Sequence, residues 1–172
     1  TFNGASMKFL DGCFANFENS AILDADLHEA NICNGNFVGA RLQNSFLTEV
    51  RMTVANFANA QLDDTKMIDG NFEGANFQRA SMISADMSGA NLKRTQFVCV
   101  KLDRADIVEA DFTFAAIEKS NFFYLKRPPH PWGAVGLPEE EQMTEIKANN
   151  EEFDWDVECG TGIDLTPDEE ET

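Results

Sequence analysis

The chain has 172 residues, 30 acidic and 13 basic, with 43% apolar content and a net charge of −17. That leaves room for one domain with a sizeable core and excludes wholesale disorder. The charge argues against a generic nucleic-acid backbone binder, which needs a basic footprint, and the uncharged stretches carry too much Asn, Gly and Ser for any to span a bilayer. The sequence opens on Thr1 without a charged n-region and apolar h-region, which reads as a processed mature chain or a trimmed one.

From Phe2 onward every fifth residue is large and apolar: Phe2, Met7, then Phe17, Ile22, Leu27, Ile32, Phe37 and so on to Phe122. Of these 25 positions only Gly12 departs. Two residues earlier, from Ala5 to Ser120, stands a small residue, with Leu10, Val50 and Val100 as departures. Asn or Asp directly precedes the large residue in 13 of the 25 cases, so typical units read Ala55-Asn56-Phe57 or Ala25-Asp26-Leu27.

No straight element keeps such a stripe on one side. Five residues of helix turn about 500°, scattering successive large residues around the axis. A straight strand throws an odd spacing onto alternate faces. The chain must therefore bend after each unit, giving a very short strand with one large and one small inward residue, then a turn. Gly4, Gly39, Gly74, Gly89, Asn19, Asn34, Asn44 and Asn59, each two places after the large position, supply turn chemistry. Four bends close a square coil of 20 residues. Phe17, Phe37, Phe57, Phe77 and Phe97 then form a ladder inside, with Asn16, Asn36, Asn56 and Asn76 as a ladder outside.

These A(N/D)(L/F) units resemble those of the pentapeptide-repeat family across residues 1–125. The resemblance implies an all-β fold, a right-handed quadrilateral parallel β-helix of about six coils. The large residues, including Met52, Met67, Met82 and Met87, are then core, each worth roughly 1.5–3 kcal/mol of burial before entropy is subtracted.

Function lies in the outward residues. With a 20-residue coil, the side holding Met7, Leu27, Leu47, Met67, Met87 and Ile107 also carries Asp26, Glu29, Glu49, Asp69, Asp86, Asp106 and Glu109, against Lys8 and Lys66. Glu29, Glu49 and Asp69 stack in one column, where like charges repel unless solvated, protonated or met by a cation or basic partner. This side is either a solvated face or a partner-docking face. The family also includes DNA-mimicking topoisomerase inhibitors, but residues 1–125 carry 16 acids and ten bases, a net of only −6.

On the same coil length, Cys13 and Cys33 fall on adjacent coils in one column, with Cα atoms about 5 Å apart and within disulfide reach. A Cys99–Cys159 bond would clamp the tail to the barrel. The alternative for each cysteine is a buried or free thiol. A metal site is disfavoured, since there is no C-x-x-C spacing and only His28 and His130 are available.

Residues 126–172 read as a C-terminal cap and acidic end. Pro128, Pro129 and Pro131 cannot continue a ladder. Pro138 followed by Glu139, Glu140 and Glu141 predicts a helix running to Asn149. Phe153, Trp155 and Val157 alternate with acids as a short extended segment does, and Asp154 to Gly160 is only a poor match to a calcium loop. Phe114, Phe123, Tyr124 and Trp132 offer a landing surface for the cap, and a solenoid needs one. At the other end no cap precedes Phe2, so upstream residues or a partner are expected to cover it.

There is no GxSxG, Walker loop, dinucleotide fingerprint or HExxH, and carboxylate pairs such as Asp63-Asp64 project from a convex rod. The expectation is a non-catalytic scaffold or assembly subunit with protein partners, no cofactor, no direct nucleic-acid binding and at most a peripheral membrane association. The resemblance extends this to the thylakoid lumen and a photosynthetic complex, with an acidic DNA-mimic inhibitor of a gyrase or topoisomerase as the alternative.

Overall fold

A computed structural model describes residues 1–117, 119–120, 136 and 159. The chain winds into six coils of 20 residues: coil 1 is 1–20, coil 2 is 21–40, coil 3 is 41–60, coil 4 is 61–80, coil 5 is 81–100 and coil 6 is 101–120. Parallel β-bridges hold the register, from Ser6 with Asp26 to Gln96 with Ala116, and every one joins residues 20 apart. Only one residue per side makes such a bridge, so the described residues contain no helix and no extended strand. The four sides are numbered by their inward columns: side 1 begins at Phe2, side 2 at Met7, side 3 at Gly12 and side 4 at Phe17.

Backbone hydrogen bonding explains the five-residue unit. In the Asn16–Ser20 unit of side 4, Phe17 N–H donates to Asn36 O (2.7 Å) and Asn19 N–H to Val38 O (2.8 Å). Ser20 N–H closes the turn on Phe17 O (3.0 Å), and Asn36 N–H reaches back to Ala15 O (2.9 Å). In a unit with a coil on either side, such as Asn36–Ala40, four of five amides are thus satisfied by backbone. The fifth, one residue past the large position, goes to the Asn or Asp that precedes it: Asn16 Oδ1 accepts from Glu18 N, Asn36 Oδ1 from Val38 N, and Asn56 Oδ1 from Ala58 N. Ten units use this Asx bond. That is the physical content of the A(N/D)(L/F) pattern.

The corners go beyond the sequence expectation. All 24 residues from Gly4 to Lys119 at the corner position take φ between 54° and 70°. Glycine and asparagine fill only eight of them; the others include Phe9, Phe14, Val54 and Phe114, for which the left-handed region is unfavourable. Turn chemistry is therefore not what bends the chain at most corners. From Gly4 to Arg94 each corner amide donates to a carbonyl of the next coil, and that bond holds the bend.

Inside, the core is continuous from Phe17 to Phe112. The phenylalanine ladder forms, with ring centroids 5.0, 4.7, 5.0 and 5.0 Å apart from Phe17 through Phe37, Phe57 and Phe77 to Phe97. Phe2 closes one end edge-on against Phe17 (5.6 Å) and Phe112 the other against Phe97 (5.4 Å). Gly12, the one gap in the large column, is compensated within its own coil. A Cβ built there would lie 3.6 Å from Cγ of Leu10, the oversized residue at the small position. Large and small have exchanged places. Where a hydroxyl is buried it is satisfied: Ser45 Oγ accepts from Ala25 N (3.0 Å) and donates to Ile22 O (2.6 Å), standing between the two groups that other corners join directly.

Beyond Ser120, the expected helix, the extended segment, the aromatic landing surface at Phe123, Tyr124 and Trp132, and the calcium-loop match lie outside the described residues. Two points of the tail are described. A Cβ on Gly136 would sit 2.3 Å from Thr113 N, so its backbone lies directly against coil 6, at a φ of 79°. Cys159 is buried and disulfide-bonded to Cys99.

Candidate functional site

Side 2 collects the seven acids as two columns. Asp26, Asp86 and Asp106 stand at bridge positions, separated by Phe46 and Lys66. Glu29, Glu49, Asp69 and Glu109 stand at corners, with Gly89 between the last two. The gap at Gly89 is occupied from below: a Cβ there would meet Asp69 Oδ1 at 2.1 Å, so the carboxylate lies across the glycine of the next coil.

The bridge-column acids are already committed. Asp26 Oδ1 accepts from His28 N, and its other oxygen pairs with Lys8 Nζ at 2.9 Å. The hydrogen bond from Lys8 holds the Asp26 carboxyl below its ordinary value against the desolvation that opposes it, helped by the His28 amide. Asp86 accepts from Ser88 N and Oγ and lies 3.7 Å from Lys66 Nζ. Asp106 accepts from Val108 N and is only 3% exposed. Its expected place on an exposed docking face is corrected by that burial, whereas Asp26 and Asp86 make the same Asx bond and keep 33% and 21% of their side chains exposed. Both lysines of side 2 are consumed by Asp26 and Asp86. Among the described residues Glu29 has only the neighbouring His28 Nε2 at 3.2 Å, so the unbalanced charge of this side is the corner column.

The cysteines meet in the two pairs set out above. Cys13 and Cys33 form a disulfide between coils 1 and 2, with Cα atoms 4.6 Å apart, and Cys99 and Cys159 form another across 60 residues at 5.7 Å. Ser120 of coil 6 accepts from Val100 N and donates to Phe97 O, propping the corner that presents Cys99. Among the described residues no cluster of His, Cys, Asp and Glu could hold a metal ion, and no helix is long and apolar enough to cross a membrane.

The sequence assigns side 4 its asparagine ladder and Phe114 a place under the cap, but singles out neither side 4 nor the corner beside it as a surface. Side 4 is almost free of charge: across coils 1–4 it offers Asn16, Asn36, Asn56 and Asn76, with Val38, Ala58 and Gln78 beside them. Its asparagines bond along the rod, Asn76 Nδ2 to Asn56 Oδ1 (3.1 Å) and Asn36 Nδ2 to Glu18 Oε2 (3.1 Å). The corner leading into it carries Phe14 (76% exposed), Val54 (60%) and Phe114 (79%), the last with Arg94 5.9 Å above its ring. The signal was present in the sequence, since the same 20-residue sorting that collects the acids also collects the neutral residues.

The stacked square coils define a quadrilateral β-solenoid. The family profile described as Pentapeptide repeats matches in eight copies over residues 14–49, 55–94 and 85–122, more than half of the chain. The chain belongs to the pentapeptide repeat family, whose members fold as right-handed quadrilateral β-helices. Similar solved structures include a pentapeptide repeat protein from the thylakoid lumen of Arabidopsis thaliana, 18% identical, with 81% of this chain and 76% of that one covered at a TM-score of 0.47. The plasmid-mediated fluoroquinolone resistance protein QnrB1 is 17% identical over 87% of this chain and 67% of its own, also at 0.47. HetL from the cyanobacterium Nostoc sp. strain PCC 7120, involved in heterocyst differentiation regulation, is 17% identical over 70% and 81%, at 0.33. No curated protein matches the chain.

Proposed function

We propose that this chain is a non-catalytic interaction scaffold, a rod that docks to or helps assemble a protein complex through its acidic side. The observation that carries this reading is the corner column Glu29, Glu49 and Asp69. Lys8 and Lys66 already serve Asp26 and Asp86, so the charge left over on side 2 is of one sign, and it is positioned by backbone corners rather than flexible loops. A basic surface on a partner relieves the repulsion within that column and is steered to it.

The sharper form of the proposal sets the partner in the thylakoid lumen, as a photosynthetic membrane complex to which the rod binds peripherally. Two disulfides fit an oxidising or exported compartment. The test is capture of the partner from native thylakoid membranes by the wild-type chain and by a Glu29→Lys, Glu49→Lys, Asp69→Lys variant. The wild type is expected to retain it and the variant to lose it, with binding weakening as salt rises. Equal retention by both removes side 2 as the docking face, and four reduced cysteines in the native protein remove the compartment.

The second reading, an acidic DNA-mimic inhibitor of a gyrase or topoisomerase, draws on the same column. The bases on the other sides, Arg41, Arg51, Arg79 and Lys101 among them, weigh against a rod of duplex charge density. A supercoiling assay separates the two readings, because absence of inhibition at micromolar protein eliminates the mimic.

A further inference from the structure

We infer that side 4, together with the corner leading into it, is a self-association surface through which two copies of this chain pack antiparallel. The argument starts from charge. Two molecules carrying −17 each repel, and they approach at least cost where their surfaces are neutral. Across coils 1–4 the corner beginning at Phe14, side 4 and the corner beginning at Asn19 contain one acid, Glu18, and one base, Arg79. Among the described residues Arg79 has no ion-pair partner.

The positions of those two charges select the arrangement. Glu18 lies on coil 1 and Arg79 on coil 4, one residue apart in the five-residue unit. A two-fold axis running across the side between coils 2 and 3 brings coil 1 of each copy over coil 4 of the other. Glu18 then meets Gln78 and the adjoining Arg79, twice per dimer, as an isologous contact requires. The same operation sets exposed Phe14 over Gly74, the corner without a side chain, and Val38 over Ala58. A bulky residue meets a gap at one end, and two small apolar residues meet at the centre. The other two-fold, along the rod, sets Glu18 against Asn16 and Arg79 against Gly74 and pairs no charge.

The surface is also ordered in advance. Its asparagine side chains are held by the Val38, Ala58 and Gln78 amides and by one another, so little side-chain freedom is lost on contact. Its size fixes the strength. Four coils at about 4.8 Å extend roughly 19 Å along the rod, a footprint of a few hundred Å² per copy against about 800 Å² in a standard stable complex. The dimer is therefore weak and forms at high local concentration.

Sedimentation equilibrium of the oxidised full chain, from micromolar to millimolar protein at physiological salt, tests this. The expected result is a monomer–dimer equilibrium that Val38→Lys abolishes. Arg79→Glu weakens it about tenfold, since two exposed ion pairs are lost. The reciprocal swap Glu18→Arg with Arg79→Glu restores it and shows that the single variant was folded. Glu49→Lys on side 2 leaves it unchanged, which separates this surface from the acidic docking face. A chain that stays monomeric throughout, or a Val38→Lys variant that associates like the wild type, or a swap that fails to restore association, overturns the inference.

Discussion

Removing the ring of Phe57 measures how far the ladder holds the solenoid together. Phe57 is fully buried on coil 3, stacked on Phe37 at 4.7 Å and on Phe77 at 5.0 Å, with Phe72 edge-on at 6.2 Å. A buried Phe→Ala change costs about 3–5 kcal/mol, and pairs of this kind add about 0.5–1.5 kcal/mol beyond area, so the expected loss lies near the top of that range. The cavity cannot collapse easily, because the coils above and below are held in register by bridges 20 residues apart. Phe14→Ala is the control: the same chemistry on an exposed corner, with an expected change within about 0.5 kcal/mol. Urea titration of the oxidised protein, followed by circular dichroism, reads both. Hydrogen exchange is expected to lose most protection in coils 2–4, since each coil supports only its neighbours. A loss below about 1.5 kcal/mol for Phe57→Ala, or equal losses for the two variants, would refute the ladder as the main source of cohesion.

Three further outcomes are expected. Val54→Asn stabilises the chain by about 1 kcal/mol, because a β-branched residue at a φ of 58° gives way to one that tolerates the left-handed region; thermal denaturation at low protein concentration measures it, and no gain contradicts the corner geometry. Gly70→Ala destabilises by about 1–3 kcal/mol, since its Cβ would lie 2.4 Å from Phe72 Cε2, and the same denaturation reports it. Lys8→Met raises the Asp26 carboxyl toward its ordinary value, read by carbon NMR of the carboxylates. A carboxyl held low in the folded state stabilises it above the unfolded value and loses that contribution as pH falls through the folded one, so the wild type's advantage over this variant vanishes in acid.

Much of the fold was legible because its period is uninterrupted. A large residue every fifth place excludes both helix and straight strand, and the 20-residue coil that the family resemblance implies then puts Phe17 under Phe37 and Cys13 beside Cys33. The role of Asn and Asp was legible only as a statistic. Its cause, an amide that the inter-coil ladder leaves over, required the hydrogen bonds.

What the sequence determined by itself is the vertical neighbourhood of each side chain, since the phase never slips from Phe2 to Phe122. What only the tertiary structure decided is which of those side chains remain free. Asp106 and Glu109 look alike in a charge count, yet Asp106 is buried and bonded to the Val108 amide, which a bridge-position carboxylate is placed to reach, while Glu109 stays exposed at its corner. The corners make the same point about conformation. Val54 and Phe14 have no preference for a left-handed backbone, but the next coil holds the corner amide in place, and that bond outweighs the local cost.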